Sequence, residues 1–247
     1  MGLFDKYKNF KQEQHKKQVA KAIKLVKNAK AIREDRWAAL TYLSELTDPE
    51  EAIPALLERF EYSLEHGIND TREKELAMEA IVGFKERAMP YLHDRLLKTP
   101  RIAWIIKMLK AIGSEEEVKE ALKAALNFGD IAFDQSAVDK NFDILCYLRD
   151  YDLNDYVDKI QHFLNDPDER VRFAAVEVLL EQSETLIKPM VEGYLLDTSV
   201  ENIRLHEIVK ETYMQKKWPL ISPGHFEEGR PYSDFYVKGG LVHRLHQ

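Results

Sequence analysis

The apolar positions of this chain recur at helical spacing almost from end to end. In residues 16–30, KKQVAKAIKLVKNAK, the side chains of Val19, Ala22, Ile23, Val26 and Ala29 fall on one stripe of a helix. Lys17, Lys21 and Lys24 fall on the opposite face. The pattern predicts an amphipathic helix with a basic face. Further on, one short trace keeps returning. DRWAALTYL at 35–43 aligns with VRFAAVEVL at 171–179: Arg36 with Arg172, Trp37 with Phe173, Ala38-Ala39 with Ala174-Ala175, Leu43 with Leu179. EKELAMEAI at 73–81 is a looser copy. RIAWIIKML at 101–109, KNFDILCYL at 140–148 and NIRLHEIV at 202–209 are weaker ones. The matched apolar positions, Leu43, Ile81, Leu109, Leu148, Leu179 and Val209, lie 38, 28, 39, 31 and 30 residues apart.

A second signal keeps the same beat. Pro54, Pro90 and Pro189 follow Leu43, Ile81 and Leu179 by 11, 9 and 10 residues. Proline suits a first helical turn, where the N–H it lacks has no helical acceptor. The pattern therefore predicts that each proline opens a second helix. Polar turns close the units at 96–100, 163–167 and 195–199, where Thr99, Asp166 and Asp197 are candidate caps. Each unit reads as helix, turn, helix, turn, with a period of about 30–40 residues.

Together these features predict an all-α fold. The segment DPDERVRFAAVEVL at 166–179 resembles bacterial HEAT-like repeats, which also occur in phycobilin lyase subunits. The wider array is similar to the HEAT-repeat superfamily over roughly residues 35–215, closest at 166–196 and faintest in the third and fourth copies. The resemblance implies a right-handed α-solenoid of about five to six helical hairpins. Residues 1–34 would cap it, residues 35–218 would form the solenoid, and residues 219–247 would be an irregular C-terminal extension. An irregular all-helical domain is the alternative. In the repeat reading Asp166, Arg172 and Arg36 are structural. Arg172 would bond an acid or a carbonyl at a turn between repeats. Ala38, Ala39, Ala174 and Ala175 would let helices approach closely.

Charge divides the chain. The formal net charge is -7. Residues 1–36 carry 11 Lys and Arg against 4 Asp and Glu, which leaves the remainder at -14. An acidic body argues against broad nucleic-acid binding. The one cysteine, Cys146, permits neither an internal disulfide nor a cysteine metal cluster, and reads as an inert core thiol. No apolar run is long enough to span a membrane. The N-terminus MGLFDKYKNF lacks a secretory signal, and Lys6 departs from the myristoylation pattern. A cytoplasmic location is the expectation. Residues 219–247 hold 7 of the 19 Gly and Pro. They read as a flexible tail or one that docks, with a hairpin conceivable around Gly239-Gly240.

Candidate chemistry is sparse. No HExxH, phosphate loop or nucleophile elbow occurs. His206-Glu207 is a single His-Glu pair, where the deoxyhypusine hydroxylases use several for a di-iron site. Trp37 and Trp104 lie in apolar stripes and read as core rather than as base-stacking residues of a HEAT-like DNA glycosylase. Glu115, Glu116 and Glu117 open a helix and suit its dipole. No catalytic, cofactor or metal residues are predicted. The expected role is a non-catalytic scaffold that binds a protein or peptide on its second helices, at 53–65, 89–98, 115–127, 154–165 and 185–196. Their exposed positions would be Glu58, Arg59, Glu120, Lys123, Asp158, Lys159 and Glu192. This mixed, net acidic surface suits a basic or amphipathic partner. The alternative is surface targeting, in which Lys17, Lys21 and Lys24 contact anionic lipid or nucleic acid. A lyase subunit or glycosylase is a minor alternative. Oligomeric state is not legible.

Overall fold

The computed structural model describes residues 3–129, 134–232 and 234–245, with side chains from residue 7 onward. The fold is mostly helical. It divides into two compact units, Met1–Ala125 and Leu126–Gln247. The first unit contains α1 (Leu3–Val26), α2 (Arg33–Ser44), α3 (Pro49–Leu57), α4 (Gly67–Val82), α5 (Met89–Lys98), α6 (Ala103–Ile112) and α7 (Glu115–Ala125). Alternate helices form two rows. α2, α4 and α6 pack side by side, as do α3, α5 and α7. The second unit contains α8 (Gln135–Leu148), α9 (Val157–Ile160), α10 (Glu169–Leu180), α11 (Glu184–Val191) and α12 (Ile203–Lys216). Here α8, α10 and α12 form one row, with α9 and α11 against α10.

The repeated apolar position explains the rows. Leu43, Ile81 and Leu109 are fully buried in the first unit, and Leu148, Leu179 and Val209 in the second. Each closes the inward stripe of a row helix. Burying a leucine contributes about 2 kcal/mol, and no single helix pair here has enough apolar area to do so alone. Turns between pairs reuse one device, a side-chain oxygen that accepts the amide two residues on. Asp48 does so for Glu50, Thr99 for Arg101, Asp166 for Asp168 and Asp197 for Ser199. Asp168, not Asp166, is the cap of α10, accepting from Arg170 N.

Arg172 donates to the carbonyls of Asp166 (2.9 Å), Pro167 (3.1 Å) and Glu201 (3.1 Å), which fastens a turn to the helix that follows it. Arg36, at the matching position, donates to the Ala31 carbonyl (2.8 Å) and does more. Its Nε and Nη2 grip both oxygens of Glu73 at 2.8 and 2.9 Å. Arg59 Nε reaches the same carboxylate at 2.7 Å, while its Nη2 meets Asp70 at 2.7 Å. Lys74 pairs with the other Asp70 oxygen at 2.7 Å. Glu73 is 1% exposed and Arg59 is 0% exposed. The network therefore links α2, α4 and the 3-10 turn Glu58–Glu61 that continues α3.

Four expectations change. Pro54 and Pro189 sit inside α3 and α11 rather than at their starts. Pro49, capped by Asp48, opens the first of these helices, and Glu184 opens the second. Trp37 and Ala38 are exposed. The inward set of α2 is Arg36, Ala39, Leu40 and Leu43, so helical phase turns Trp37 and Ala38 outward. Cys146 is exposed for the same reason: α8 buries Ile144, Leu145 and Leu148 instead. Desolvation, then the charges of Glu177 and Asp143, raises its pKa and holds it as a thiol.

The C-terminal extension is irregular only in part. It forms a three-stranded antiparallel sheet in the order β1 (Pro231–Tyr232), β2 (Phe235–Lys238), β3 (Leu241–Arg244). Alternation buries Phe235, Val237 and Val242 on one side, and β3 packs on α12. Gly239 (φ 61°) and Gly240 (φ 73°) make the tight β2–β3 turn, where left-handed geometry favours glycine. Phe226, Tyr232 and Phe235 form an aromatic cluster with ring centres 5.4 to 6.4 Å apart.

The Glu73→Gln substitution leaves two buried guanidiniums sharing a neutral amide. It is expected to cost about 3–5 kcal/mol of unfolding free energy, measured by chemical denaturation. The exposed Glu75→Gln change on the same helix should stay within about 0.5 kcal/mol of the parent.

Candidate functional site

In the first unit, described residues of α5 and α7 border a hollow of about 420 Å³. Its construction begins with a capping box. Ser114 N and Oγ both donate to Glu117 Oε2 at 2.8 Å, and Glu117 N donates back to Ser114 Oγ at 3.3 Å. This fixes the first turn of α7 and with it the positions of Glu115, Glu116 and Glu117. The helix then turns Val118, Leu122 and Ala125 inward. Ala121 and Ala124, one turn apart, are too small to fill the space beside α5, so the hollow stays open.

From α5 come His93 and Leu97, also one turn apart. They lie one position beyond the buried pair Leu92 and Leu96. Leu97 is 55% exposed, and His93 Nε2 is buried without a hydrogen-bond partner. The floor is thus apolar, from Leu97, Ala121 and Ala124. The rim carries Glu116, Glu117 and Glu120. Glu117 is held below the usual carboxylate range by the Ser114 amide and hydroxyl, with nearby His93 adding to the effect. Glu116 pairs with Lys119, and Glu120 with Lys123, both at 2.7 Å. An apolar hollow with fixed anions at its edge can take an amphipathic cation; its described residues offer no nucleophile–base pair.

The expected site residues scatter. Glu120 lines the hollow and Lys123 stands beside it. Glu58 is half-buried between Lys27 (3.4 Å) and Arg95 (3.5 Å). Arg59, expected on the surface, is buried, because the 3-10 turn after α3 swings it toward Glu73. Asp158 and Lys159 are exposed on α9, in the second unit. Glu192 is occupied by its own chain, accepting from Tyr213 Oη (3.1 Å), Ile221 N (2.7 Å) and Ser222 N (2.9 Å). Lys17, Lys21 and Lys24 are exposed on α1. Val19, Ala22 and Val26 of that helix are buried, while Tyr7 and Phe10 are exposed. The side chains of Leu3 and Phe4 lie outside the described residues. His93, Leu97, Ala121 and Ala124 were not among the expected residues. Their signal was a second pair of one-turn spacings offset by one from the core stripe.

The tryptophans divide three ways. Trp104 packs on Phe60 at 5.9 Å, Trp218 packs on Tyr213 at 5.4 Å, and Trp37 is open to solvent. In the second unit, His206, Glu207 and Asp234 converge within 4.8 Å. Lys210 Nζ bonds both carboxylates, at 2.7 and 2.5 Å, and stands where a cation would sit. His206 Nδ1 lies 3.0 Å from the Tyr194 carbonyl. Burial alone would lower the Lys210 pKa, but Asp234 and Glu207 raise it above its usual value. Burial would raise Asp234, but Lys210 brings it below. The cluster thereby clips the turn before β2 to α12.

Comparison with known protein families, with curated proteins and with solved structures returns no match.

Asp70 behaves as Asp234 does. Burial would raise it, but Lys74, Arg59 and the Leu64 amide hold it below its ordinary 3.8. Both carboxylates bind protons more weakly folded than unfolded, so their stabilisation is complete above about pH 4 and fades as pH falls through the folded values. Melting temperature is expected to be flat near neutrality and to drop below about pH 4, with a shallower drop in an Asp70→Asn variant that starts from a lower plateau.

Proposed function

We propose that this chain is a HEAT-like helical-repeat protein, its helix rows arranged as in a right-handed α-solenoid, and that it acts as a non-catalytic scaffold or adaptor. Its partner is a basic amphipathic segment of another protein, bound along the second helices of the first unit. The hollow between α5 and α7 carries the reading. Apolar side chains of the segment rest on Leu97, Ala121 and Ala124. Its lysines or arginines meet Glu116, Glu117 and Glu120.

Two features support this role. The floor is apolar while every rim charge among the described residues is an acid or an acid–lysine pair, a combination that selects amphipathic cations over plain ones. The second helices α3, α5 and α7 also lie side by side, which gives an extended peptide or helix a continuous track.

A synthetic leucine–lysine amphipathic helix, fluorescently labelled, is the direct probe. Anisotropy should give saturable binding that weakens as salt rises. Leu97→Glu and Glu120→Lys should each reduce affinity by about tenfold. A peptide of identical composition with its apolar face scrambled should bind at least about tenfold more weakly than the amphipathic one. Equal binding of both peptides, or binding indifferent to both substitutions, would count against the proposal.

A further inference from the structure

A recurring clasp joins neighbouring row helices in the second unit. Phe142 on α8 and Phe173 on α10 occupy the aromatic position of the repeat trace. Each ring is covered by an arginine from the next row helix. The Arg170 guanidinium lies 5.5 Å from the Phe142 ring centre, and that of Arg204 lies 4.4 Å from Phe173. Each arginine is pinned by an acid one turn before the ring on the ring's own helix. Asp139 holds Arg170 at 2.8 Å, and Glu169 holds Arg204 at 3.4 Å. Ring, cation and anion complete one another within the chain.

The first unit has the same position filled by Trp37, on α2, with Arg72 beside it on α4. The clasp there is open. One turn before Trp37 stands Arg33, where α10 has Glu169, so the charge that would hold the neighbouring arginine is reversed. Among the described residues, neither Arg33 nor Arg72 has an ion-pair or hydrogen-bond partner. Glu34 lines the same hollow but pairs with neither. Ala38 adds no bulk, and a pocket of about 380 Å³ remains between the two arginines and the indole, which is 39% exposed. That volume lies within the range of small-ligand sites.

The geometry points to a small ligand that supplies what the clasp lacks: an anion joined to a flat ring. We propose a nucleoside monophosphate. Its base stacks on Trp37, a contact that any base can make. Its phosphate lies between Arg33 and Arg72, whose planar forks match phosphate oxygens. Glu34 accepts from the ribose hydroxyls. The site is distinct from the hollow between α5 and α7 and does not depend on it.

Isothermal titration of the full chain with AMP, adenosine and inorganic phosphate tests the assignment. AMP should bind with a dissociation constant below about 1 mM, and adenosine and phosphate should each bind at least about tenfold more weakly. Trp37→Ala should weaken AMP binding by at least about tenfold. Arg33→Glu installs the acid of the second unit's clasp. It should likewise abolish binding while leaving the melting temperature unchanged or higher, because the introduced carboxylate would then pair with Arg72. The assignment is overturned if phosphate alone binds as well as AMP, if adenosine does, if AMP fails to bind below about 1 mM, or if Arg33→Glu leaves AMP affinity intact.

Discussion

Glu73 is a carboxylate taken out of water with two guanidiniums bound to it at once, and the first unit is arranged around that contact. Desolvating such a group costs several kcal/mol, and only close, hydrogen-bonded partners offset it. Arg36 comes from α2, Arg59 from the turn after α3, and Glu73 itself from α4. Neither arginine can leave without stripping a hydrogen bond from a buried carboxylate. Three elements are therefore fixed in rotation as well as in place, which apolar packing alone does weakly. Two surface features follow. With Arg36 turned inward, Trp37 must face out. With Arg59 turned inward, the turn after α3 presents Glu58 and Glu61 without it.

The sequence made the framework legible through period. Six apolar positions at 28- to 39-residue spacing are all fully buried, because each must close the inward stripe of a row helix. Arg172 was legible too, since a long donor beside a turn rich in free carbonyls has an obvious role. Rotation about each helix axis was harder to read. Trp37, Ala38 and Cys146 each sit beside buried neighbours in sequence, and only the three-dimensional phase places them outside. Arg59 was misread because a 3-10 turn after Leu57 advances side chains by a different angle from an α-helix. The C-terminal sheet escaped because its strands are two to four residues long. Only the Gly239-Gly240 turn marked it. The hollow between α5 and α7 was half legible: Glu120 was expected there, while its apolar floor arises from what alanines leave empty.

Charge gives the first unit two surfaces of opposite kind. Between the second helices, carboxylates rim an apolar floor. Between α2 and α4, two arginines flank an indole. Both are places where a device used elsewhere in the fold is left incomplete: a space that larger side chains would fill, and a clasp whose anion is missing. The second unit shows the completed clasp. There Glu192 is saturated by the chain's own C-terminal segment, and Lys210 neutralises the carboxylates of Glu207 and Asp234. The open hollow and the open clasp are the grounds for proposing recognition in the first unit.

The most direct test is an amide chemical-shift map of the isotopically labelled full chain titrated with the leucine–lysine amphipathic helix. The account predicts perturbations concentrated on α5 and α7, at His93, Leu97, Glu116, Glu120, Ala121 and Ala124. Shifts centred instead on the lysine face of α1, or on the second unit, would contradict it.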